Sequence, residues 1–250
     1  LNTPADQASA EVFLRVLRDA LFGVPNGSRL LLPKVDLSKL FPNPATTWLI
    51  AHGSEVRLGQ RVQHIGQQAG GWLVNGEPFD AVVLATPPND AARLLAQLLP
   101  SLPVTNAVQI ASWLNACHAL QFEAIATTYA WAEGSRLAQP MLALHSSDSK
   151  PAQFVFDRGQ LGSATGLMAF VVSAAQDERS ALESKVLAQG QSQLGLTLQV
   201  IKTVVEKRAT FACTPGLQRP AAQIAPGLWA CGDYVQGPYP ATLEGAVRSG

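Results

Sequence analysis

The segment GLWACGDYVQGPYPATLEGAVRSG, residues 227–250, decides how this chain folds. Its apolar beginning ends in Gly232-Asp233, which predicts a short buried strand with a carboxylate at its carboxyl end. A Gly- and Pro-rich turn follows, and a helix is predicted to begin near Pro240. Gly232 would let a ligand approach the backbone, and Asp233 could accept hydrogen bonds from sugar hydroxyl groups. The same pattern also fits a plain strand-loop-helix in which Asp233 caps a turn.

The composition limits the class of protein. The chain has 250 residues, 47% of them apolar and 14% charged, so it can form one large or two small cored domains. Its 18 Lys and Arg residues balance 18 Asp and Glu residues, which argues against a nucleic-acid partner. No apolar stretch reaches the roughly 18 residues of a membrane-spanning helix, and the cysteines lack CxxC spacing. We therefore expect a soluble protein of a reducing compartment, the cytoplasm.

The periodicity along the rest of the chain predicts a discontinuous α/β fold. Thr3 can cap a helix at the very start of the chain, and the last helix has no stop signal, so we expect a fragment cut at both ends. Predicted strands cover residues 55–58, 61–67, 72–75, 81–85, 125–131, 153–156, 167–173, 197–206 and 228–231. Predicted helices cover residues 3–21, 43–53, 89–99 and 177–189, and a last helix begins at residue 240.

Two segments carry a family resemblance. Residues 227–250 resemble the carboxyl-terminal FAD-binding signature of the amine oxidase and carotenoid desaturase superfamily. GSEVRLGQRVQHI (53–65) with FDAVVLATPP (79–88) is similar to the middle FAD segment of the same superfamily. Residues 1–21, 30–45, 124–133 and 154–159 are similar to one branch, the squalene-associated FAD-dependent desaturases or hydroxysqualene dehydroxylases. The similarity covers nearly the whole chain.

The resemblance implies an α/β fold with an α+β substrate domain and a partial Rossmann-like FAD domain. We expect residues 53–100 and 225–250 to be remnants of the FAD domain, and residues 1–52 and 101–224 to form the substrate domain. The superfamily begins with a GxGxxG turn, which this sequence lacks. By family length, about two fifths of the native protein is expected to precede Leu1, and we expect the fragment to be inactive alone.

The resemblance also assigns cofactor contacts residue by residue. Val62 matches the residue whose backbone meets the adenine, although without the resemblance a plain strand-core role would be the favoured interpretation. Thr86 and Pro87 match the strand-end turn near FAD, and Gly232 and Asp233 match the ribityl and pyrophosphate contacts. The residues that match the helix start against the flavin pyrimidine edge are Ala241, Thr242 and Leu243.

The activity implied by the resemblance is flavin-dependent reductive removal of the allylic hydroxyl of hydroxysqualene to give squalene. One alternative is a carotenoid desaturase or an amine oxidase, and another is a cofactor-free structural fragment. Asp157 is a candidate general acid with Arg158 as its orienting partner, and a surface turn with an ion pair is the competing interpretation. The four histidines are scattered without ligand spacing, so we expect no metal site.

An isoprenoid substrate of this kind requires a long apolar channel beside the flavin. Period-two apolar residues in the substrate domain could line it, and a closed core would look identical in sequence. These residues are Ile125, Tyr129, Phe154, Phe156, Leu167 and Phe170. A lipid substrate also implies peripheral contact with the inner face of the cell membrane through an exposed apolar patch. The oligomeric state is left open.

Overall fold

A computed structural model describes residues 2–23 and 25–250 of the chain. These residues contain seven α-helices and eleven strands in three sheets. The helices are α1 (Ala10–Leu17), α2 (Leu37–Leu40), α3 (Pro42–Ala51), α4 (Pro88–Leu98), α5 (Val104–His118), α6 (Arg179–Leu194) and α7 (Leu243–Ser249). The strands are β1 (Ile65–Gln68), β2 (Gly71–Val74), β3 (Glu77–Phe79), β4 (Val82–Leu84), β5 (Phe122–Trp131), β6 (Met141–Ala143), β7 (Phe154–Asp157), β8 (Leu167–Ser173), β9 (Gln199–Phe211), β10 (Gln223–Ala225) and β11 (Leu228–Ala230).

A small sheet in the order β10-β11-β4 joins two distant parts of the chain. β11 pairs with β4 in parallel, with Leu228 opposite Val82 and Ala230 opposite Leu84. The N–H of Cys231 extends the ladder by donating to the Leu84 carbonyl oxygen at 3.2 Å. The predicted contact between these two strands is confirmed, and so is the α/β fold class. Because the strands are parallel, both carboxyl ends lie at one edge of the sheet.

A three-stranded antiparallel meander, β1-β2-β3, packs beside this sheet. It contains the hairpin predicted around Gly70-Gly71, with Ile65 opposite Val74. The Trp72 indole is buried and its Nε1–H donates to the Pro226 carbonyl oxygen at 3.3 Å. This contact ties the meander to the loop that leads into β11.

Helix α5 is a feature that the sequence interpretation missed. Its buried residues Ile110, Trp113, Leu114 and Cys117 follow the i, i+3, i+4, i+7 spacing of a helical face. They share one hydrophobic core with α4, β4 and β11, and the Trp113 Nε1–H donates to the Ala221 carbonyl oxygen at 2.8 Å. The first core therefore continues past residue 100, where the sequence placed a domain boundary. The extents of the two domains stay a prediction.

The third sheet is five-stranded and antiparallel, in the order β6-β7-β8-β5-β9. One face packs against α6 and forms a second hydrophobic core. Phe170 lies at the centre of this core, with its ring tip against the backbone of Gly190 on α6. The predicted channel position of Phe170 is therefore wrong, because its side chain points away from the opposite face.

The opposite face, called here the open sheet face, carries half-buried apolar side chains. Cross-strand pairing places Tyr129 beside Ala169, Phe156 beside the same alanine, and Phe154 beside Val171. Strand alternation puts five of the six predicted channel residues on this face, namely Ile125, Tyr129, Phe154, Phe156 and Leu167. The face has a polar rim on β9, where Lys202 pairs with Tyr129.

The amino-terminal region departs from the prediction. Helix α1 begins after Ser9, whose Oγ accepts from the Val12 N–H, rather than at Thr3. Thr3 is buried, and its Oγ1 accepts a hydrogen bond from the Cys213 N–H at 2.8 Å. The predicted strand at residues 55–58 is an exposed loop in which Arg57 pairs with Glu55 and Glu77.

Several large apolar side chains between residues 13 and 58 are exposed, including Leu31 at 95% and Trp48 at 59%. None of the helices in the described residues is both long enough and apolar enough to cross a bilayer. Peripheral membrane contact stays a prediction.

Shortening a side chain in the β10-β11-β4 sheet is expected to destabilise the first hydrophobic core. Leu228 is fully buried, so Leu228→Ala should lower the free energy of unfolding by about 2–5 kcal/mol. Leu31→Ala is the matched control, because Leu31 is 95% exposed and its loss should change stability by less than about 0.5 kcal/mol. Urea unfolding followed by tryptophan fluorescence measures both. Equal losses in the two variants would contradict the assigned core.

Candidate functional site

A cavity of about 530 Å³ opens at the carboxyl ends of β4 and β11. Four of the predicted cofactor residues line it together, namely Thr86, Pro87, Gly232 and Asp233. Thr86-Pro87 follows β4 and Gly232-Asp233 follows β11, so the parallel pairing of the two strands creates the site. A ligand in this cavity would contact both halves of the sheet.

Two polar atoms of residues that line this cavity have no protein partner. The Thr86 Oγ1 atom and the Tyr234 hydroxyl oxygen are buried, and neither makes a hydrogen bond to any residue among 2–23 and 25–250. A buried hydroxyl without a partner is costly, and a bound polar ligand would remove that cost. Gly232 lies against the Tyr234 ring, where a Cβ atom would come within 2.7 Å of that ring. Gly232 therefore makes room for the Tyr234 ring in the wall that carries the two unsatisfied hydroxyl groups.

Asp233 faces this cavity with a perturbed carboxyl group. Burial raises its pKa, while its own backbone N–H and the nearby Arg219 act in the opposite direction. A carboxylate that has lost water in this way gains from hydroxyl donors, such as those of a ribityl chain. The Arg219 guanidinium also holds the following loop, donating to the carbonyl oxygens of Val235, at 2.6 Å, and Gly237.

The turn before α7, residues 239–243, is called here the flavin-facing turn, after the role that the resemblance implies. Ala241 has a φ of +55°, which is unusual for a residue with a side chain. Its N–H donates to the Asp233 carbonyl oxygen at 3.2 Å. Thr242 caps α7 by accepting from the Gly245 N–H at 2.9 Å. The turn is therefore attached to the Gly-Asp segment by its backbone.

A second cavity, of about 250 Å³, lies against this turn and is lined by Ala241 and Thr242. Thr210 and Phe211, at the end of β9, line both cavities and so connect them. The sequence interpretation missed these two residues because it ended this strand at Glu206. The alternation of small and apolar residues in Ala209-Thr210-Phe211 was the available signal.

Two predicted cofactor residues lie apart from the cavity walls. Val62 is half-buried in a loop and packs against the first core, outside the lining of the cavity that holds Asp233. Leu243 begins α7 with 77% of its surface exposed. Their roles stay predictions, and the adenine contact assigned to Val62 concerns its backbone rather than its side chain.

Asp157 and Arg158 lie at the end of β7, in the five-stranded sheet. The Asp157 carboxylate is 1% exposed and accepts from the Leu137 N–H and from the side chain and backbone N–H of Gln160. Burial acts to raise the pKa of Asp157, but these hydrogen bonds hold it below its ordinary value. An ionised, fully bonded carboxylate is poorly suited to donate a proton, so the catalytic role stays a prediction that this geometry does not favour.

Replacing this carboxylate should test its structural role. Asp157→Asn turns one acceptor oxygen into a donor that faces N–H groups, so we expect a loss of about 1–3 kcal/mol in the free energy of unfolding at pH 7. Because the folded pKa is lowered, the stabilisation is present above the unfolded pKa and is lost as the pH falls below about 4. The difference between variant and wild type should therefore shrink at acid pH.

Asp177→Asn is the control, since Asp177 forms a partly exposed ion pair with Lys185 and should contribute less than about 1 kcal/mol. Chemical unfolding between pH 3 and pH 7 measures both variants. A pH-independent difference for Asp157→Asn would refute the assignment.

A comparison with protein families identifies the class. Residues 42–250 match the family of flavin-containing amine oxidoreductases. The chain belongs to this family. FAD, the cofactor expected from the sequence, is thereby supported, and the cavity lined by Thr86 and Asp233 has unsatisfied hydroxyl groups that a polar ligand of this kind would satisfy.

Two curated relatives narrow the comparison. The chain is 28% identical to a hydroxysqualene dehydroxylase of Rhodopseudomonas palustris and 26% identical to one of Sinorhizobium fredii. Both alignments cover 100% of this chain and 58% of the relative. The chain thus spans a little over half the length of the curated relatives that it matches.

Solved structures agree on the fold. The match to the crystal structure of a protein from Exiguobacterium sp. 255-15 covers 99% of this chain and 58% of that protein's chain, with a TM-score of 0.62 and 17% sequence identity. The match to a redesigned putrescine oxidase covers 84% of this chain and 50% of that protein's chain, with a TM-score of 0.54 and 16% sequence identity. At these identities the likeness concerns architecture.

A glycine in α7 offers a test of the turn. A Cβ atom at Gly245 would collide with the Tyr239 carbonyl oxygen, so Gly245→Ala should displace the flavin-facing turn. In the full-length protein we expect FAD affinity to fall by about ten-fold, or 1.4 kcal/mol. Gly237→Ala is the control, because a Cβ there meets no atom within 4 Å. Fluorescence titration of the apoprotein with FAD measures both, and unchanged affinity in Gly245→Ala would contradict a flavin role for this turn.

Proposed function

We propose that this chain is part of an FAD-dependent oxidoreductase that reductively removes the hydroxyl group of an isoprenoid alcohol, converting hydroxysqualene to squalene. The observation that supports it most is the cavity at the ends of β4 and β11, which lies next to an apolar cavity in a chain whose relatives carry this name. The remaining length of the relatives is expected to supply the rest of the cofactor site.

The proposed cofactor contacts use the features described above. Asp233 would accept hydrogen bonds from ribityl hydroxyl groups, and Thr86 would provide its partnerless hydroxyl. Gly232, which has no side chain, leaves room for the Tyr234 ring that lines the same cavity. The flavin-facing turn would border the ring system through the backbone of Ala241 and Thr242.

The proposed substrate surface begins at the smaller cavity. Its lining includes Val12, Val16 and Phe211, which give it an apolar wall, and polar side chains such as Asn2 and Arg15 also border it. Asn2 lines the same cavity and accepts a hydrogen bond from Ser173, a residue on the open sheet face, at 2.8 Å. The cavity and the open sheet face therefore adjoin, as a long apolar substrate beside a flavin requires.

In the proposed reaction a C–O bond breaks at an allylic carbon, a C–H bond forms there, and the hydroxyl group takes up one proton from solvent and leaves as water. Reduced FAD would supply the hydride, and an external reductant would restore it. The protein's own contribution is to orient an apolar chain and to keep water from the reacting carbon. Phe211 and the aromatic residues of the open sheet face suit that role.

The direct test uses the full-length, FAD-loaded protein with a reductant and hydroxysqualene. We expect squalene as the product, detected by mass spectrometry. Tyr129→Lys and Phe156→Lys each place a charge on the open sheet face and should raise KM by about ten-fold or more while FAD content stays unchanged. Lys207→Tyr, on an exposed part of β9, is a control for altered surface charge.

Other outcomes would reject the proposal. If the reduced protein makes no squalene, and the oxidised protein instead desaturates a carotenoid precursor or oxidises an amine, hydride transfer runs in the opposite direction. If a flavin is bound but both open-face variants retain the wild-type KM, the substrate lies elsewhere.

A further inference from the structure

Tyr239 occupies an unusual place at the start of the flavin-facing turn. It has a half-buried ring, and two guanidinium groups, those of Arg15 on α1 and Arg248 on α7, lie over that ring. Each guanidinium carbon is 4.9 Å from the ring centroid, which is within the range of a cation–π contact. One aromatic side chain thus connects α7, the helix that follows the turn, with α1, a helix far earlier in the chain.

Acidic neighbours hold both guanidinium groups in place. Arg15 donates through Nε to Asp19 Oδ2 at 2.9 Å and through Nη2 to the Tyr239 hydroxyl oxygen at 3.2 Å. Arg248 donates through Nε to Glu244 Oε1 at 2.5 Å. Each arginine is therefore oriented by a residue on its own helical segment, one turn away. Each cation over the ring therefore has a carboxylate partner of its own.

The backbone of Tyr239 in turn organises the residues that follow. The Tyr239 carbonyl oxygen accepts a hydrogen bond from the Thr242 hydroxyl at 2.9 Å. The Thr242 Oγ1 atom in turn accepts a hydrogen bond from the Gly245 N–H at 2.9 Å. Gly245 lies so close to the Tyr239 carbonyl that a side chain would not fit. Pro238 and Pro240 flank Tyr239 and restrict its backbone to extended conformations. Fixing the side chain of Tyr239 therefore leaves its turn few alternatives.

We propose that Tyr239, held by its contacts with Arg15 and Arg248 in what is called here the clamp, is a positioning residue that fixes the turn at Ala241–Leu243 against the flavin. The inference rests on the proposed function only in taking a flavin as the ligand beside this turn. The clamp also couples α1 to the turn, and α1 carries Val12 and Val16 of the smaller cavity. Removing either arginine would leave its carboxylate partner, Asp19 or Glu244, unpaired near the turn, which would disfavour the anionic reduced form of a flavin bound there.

The first experiment needs no flavin. In the apoprotein, Tyr239→Leu should speed hydrogen exchange about ten-fold at the amides of Ala241, Gly245 and Ala246, whose partners lie in this turn network. Amides of the second core, such as those of β8, should keep their wild-type rates. Tyr239→Phe retains the ring and should have the smaller effect. Unchanged exchange at the three amides of Tyr239→Leu would overturn the clamp.

The second experiment uses the full-length, FAD-loaded protein. Arg15→Met and Arg248→Met keep side-chain length but remove a charge, and each should weaken FAD binding by about five-fold and lower the midpoint potential of the flavin. A purely structural contact would leave the potential unmoved. Arg57→Met is the matched control, because Arg57 pairs with Glu55 and Glu77 on an exposed loop.

These readouts separate the two proposals. Absence of squalene from wild-type protein with normal FAD binding would reject the reaction and leave the clamp standing. Wild-type affinity and potential in both arginine variants would reject the clamp whichever reaction the protein performs. If Tyr239→Leu fails to fold, the arginine variants decide the question.

Discussion

The parallel pairing of β4 with β11 is the contact on which the rest of the candidate site depends. Three residue pairs form it, and the Cys231 N–H extends the ladder to Leu84. Thr86 and Asp233 are far apart in sequence, and they line one cavity because each follows a strand of this pair. Core packing supports the arrangement, since α4 and α5 share the buried cluster that contains Leu84 and Leu228. A shift of one residue in this register would turn Leu84 and Leu228 out of the core.

Much of this architecture can be predicted from sequence wherever a local pattern and a long-range contact agree. The strand before Gly232, the strand before Thr86 and strand β8 all carry strong β-forming residues in short runs, and the structure has strands there. Helix α5 was missed although its buried residues follow a helical period. Its Val, Thr and Asn content gives a low helix propensity, and the stability of the helix comes from packing against α4 and β10.

The parts of the site that could not be predicted depend on tertiary contacts. Thr210 and Phe211 are ordinary strand residues in sequence and become shared walls of two cavities only because β9 is 13 residues long and reaches the cavity lined by Thr86 and Asp233. Asp157 looked like an exposed acid at the end of a strand. The backbone N–H of Leu137, twenty residues earlier, donates a hydrogen bond to its carboxylate. No local sequence pattern predicts such a contact. Thr3 likewise resembles a helix cap but serves the backbone of Cys213.

In the five-stranded sheet, alternate side chains of one strand serve different purposes: one set packs the core, and the other set forms the open sheet face. On β5, Ala126 belongs to the core beneath α6, whereas its neighbours Ile125 and Thr127 belong to the open sheet face. Substitutions on the open face can therefore accumulate without disturbing the packing that keeps the sheet folded. In evolution, a family built this way can change the molecules it accepts through every second residue of a strand, while its fold and its cofactor cavity are inherited unchanged.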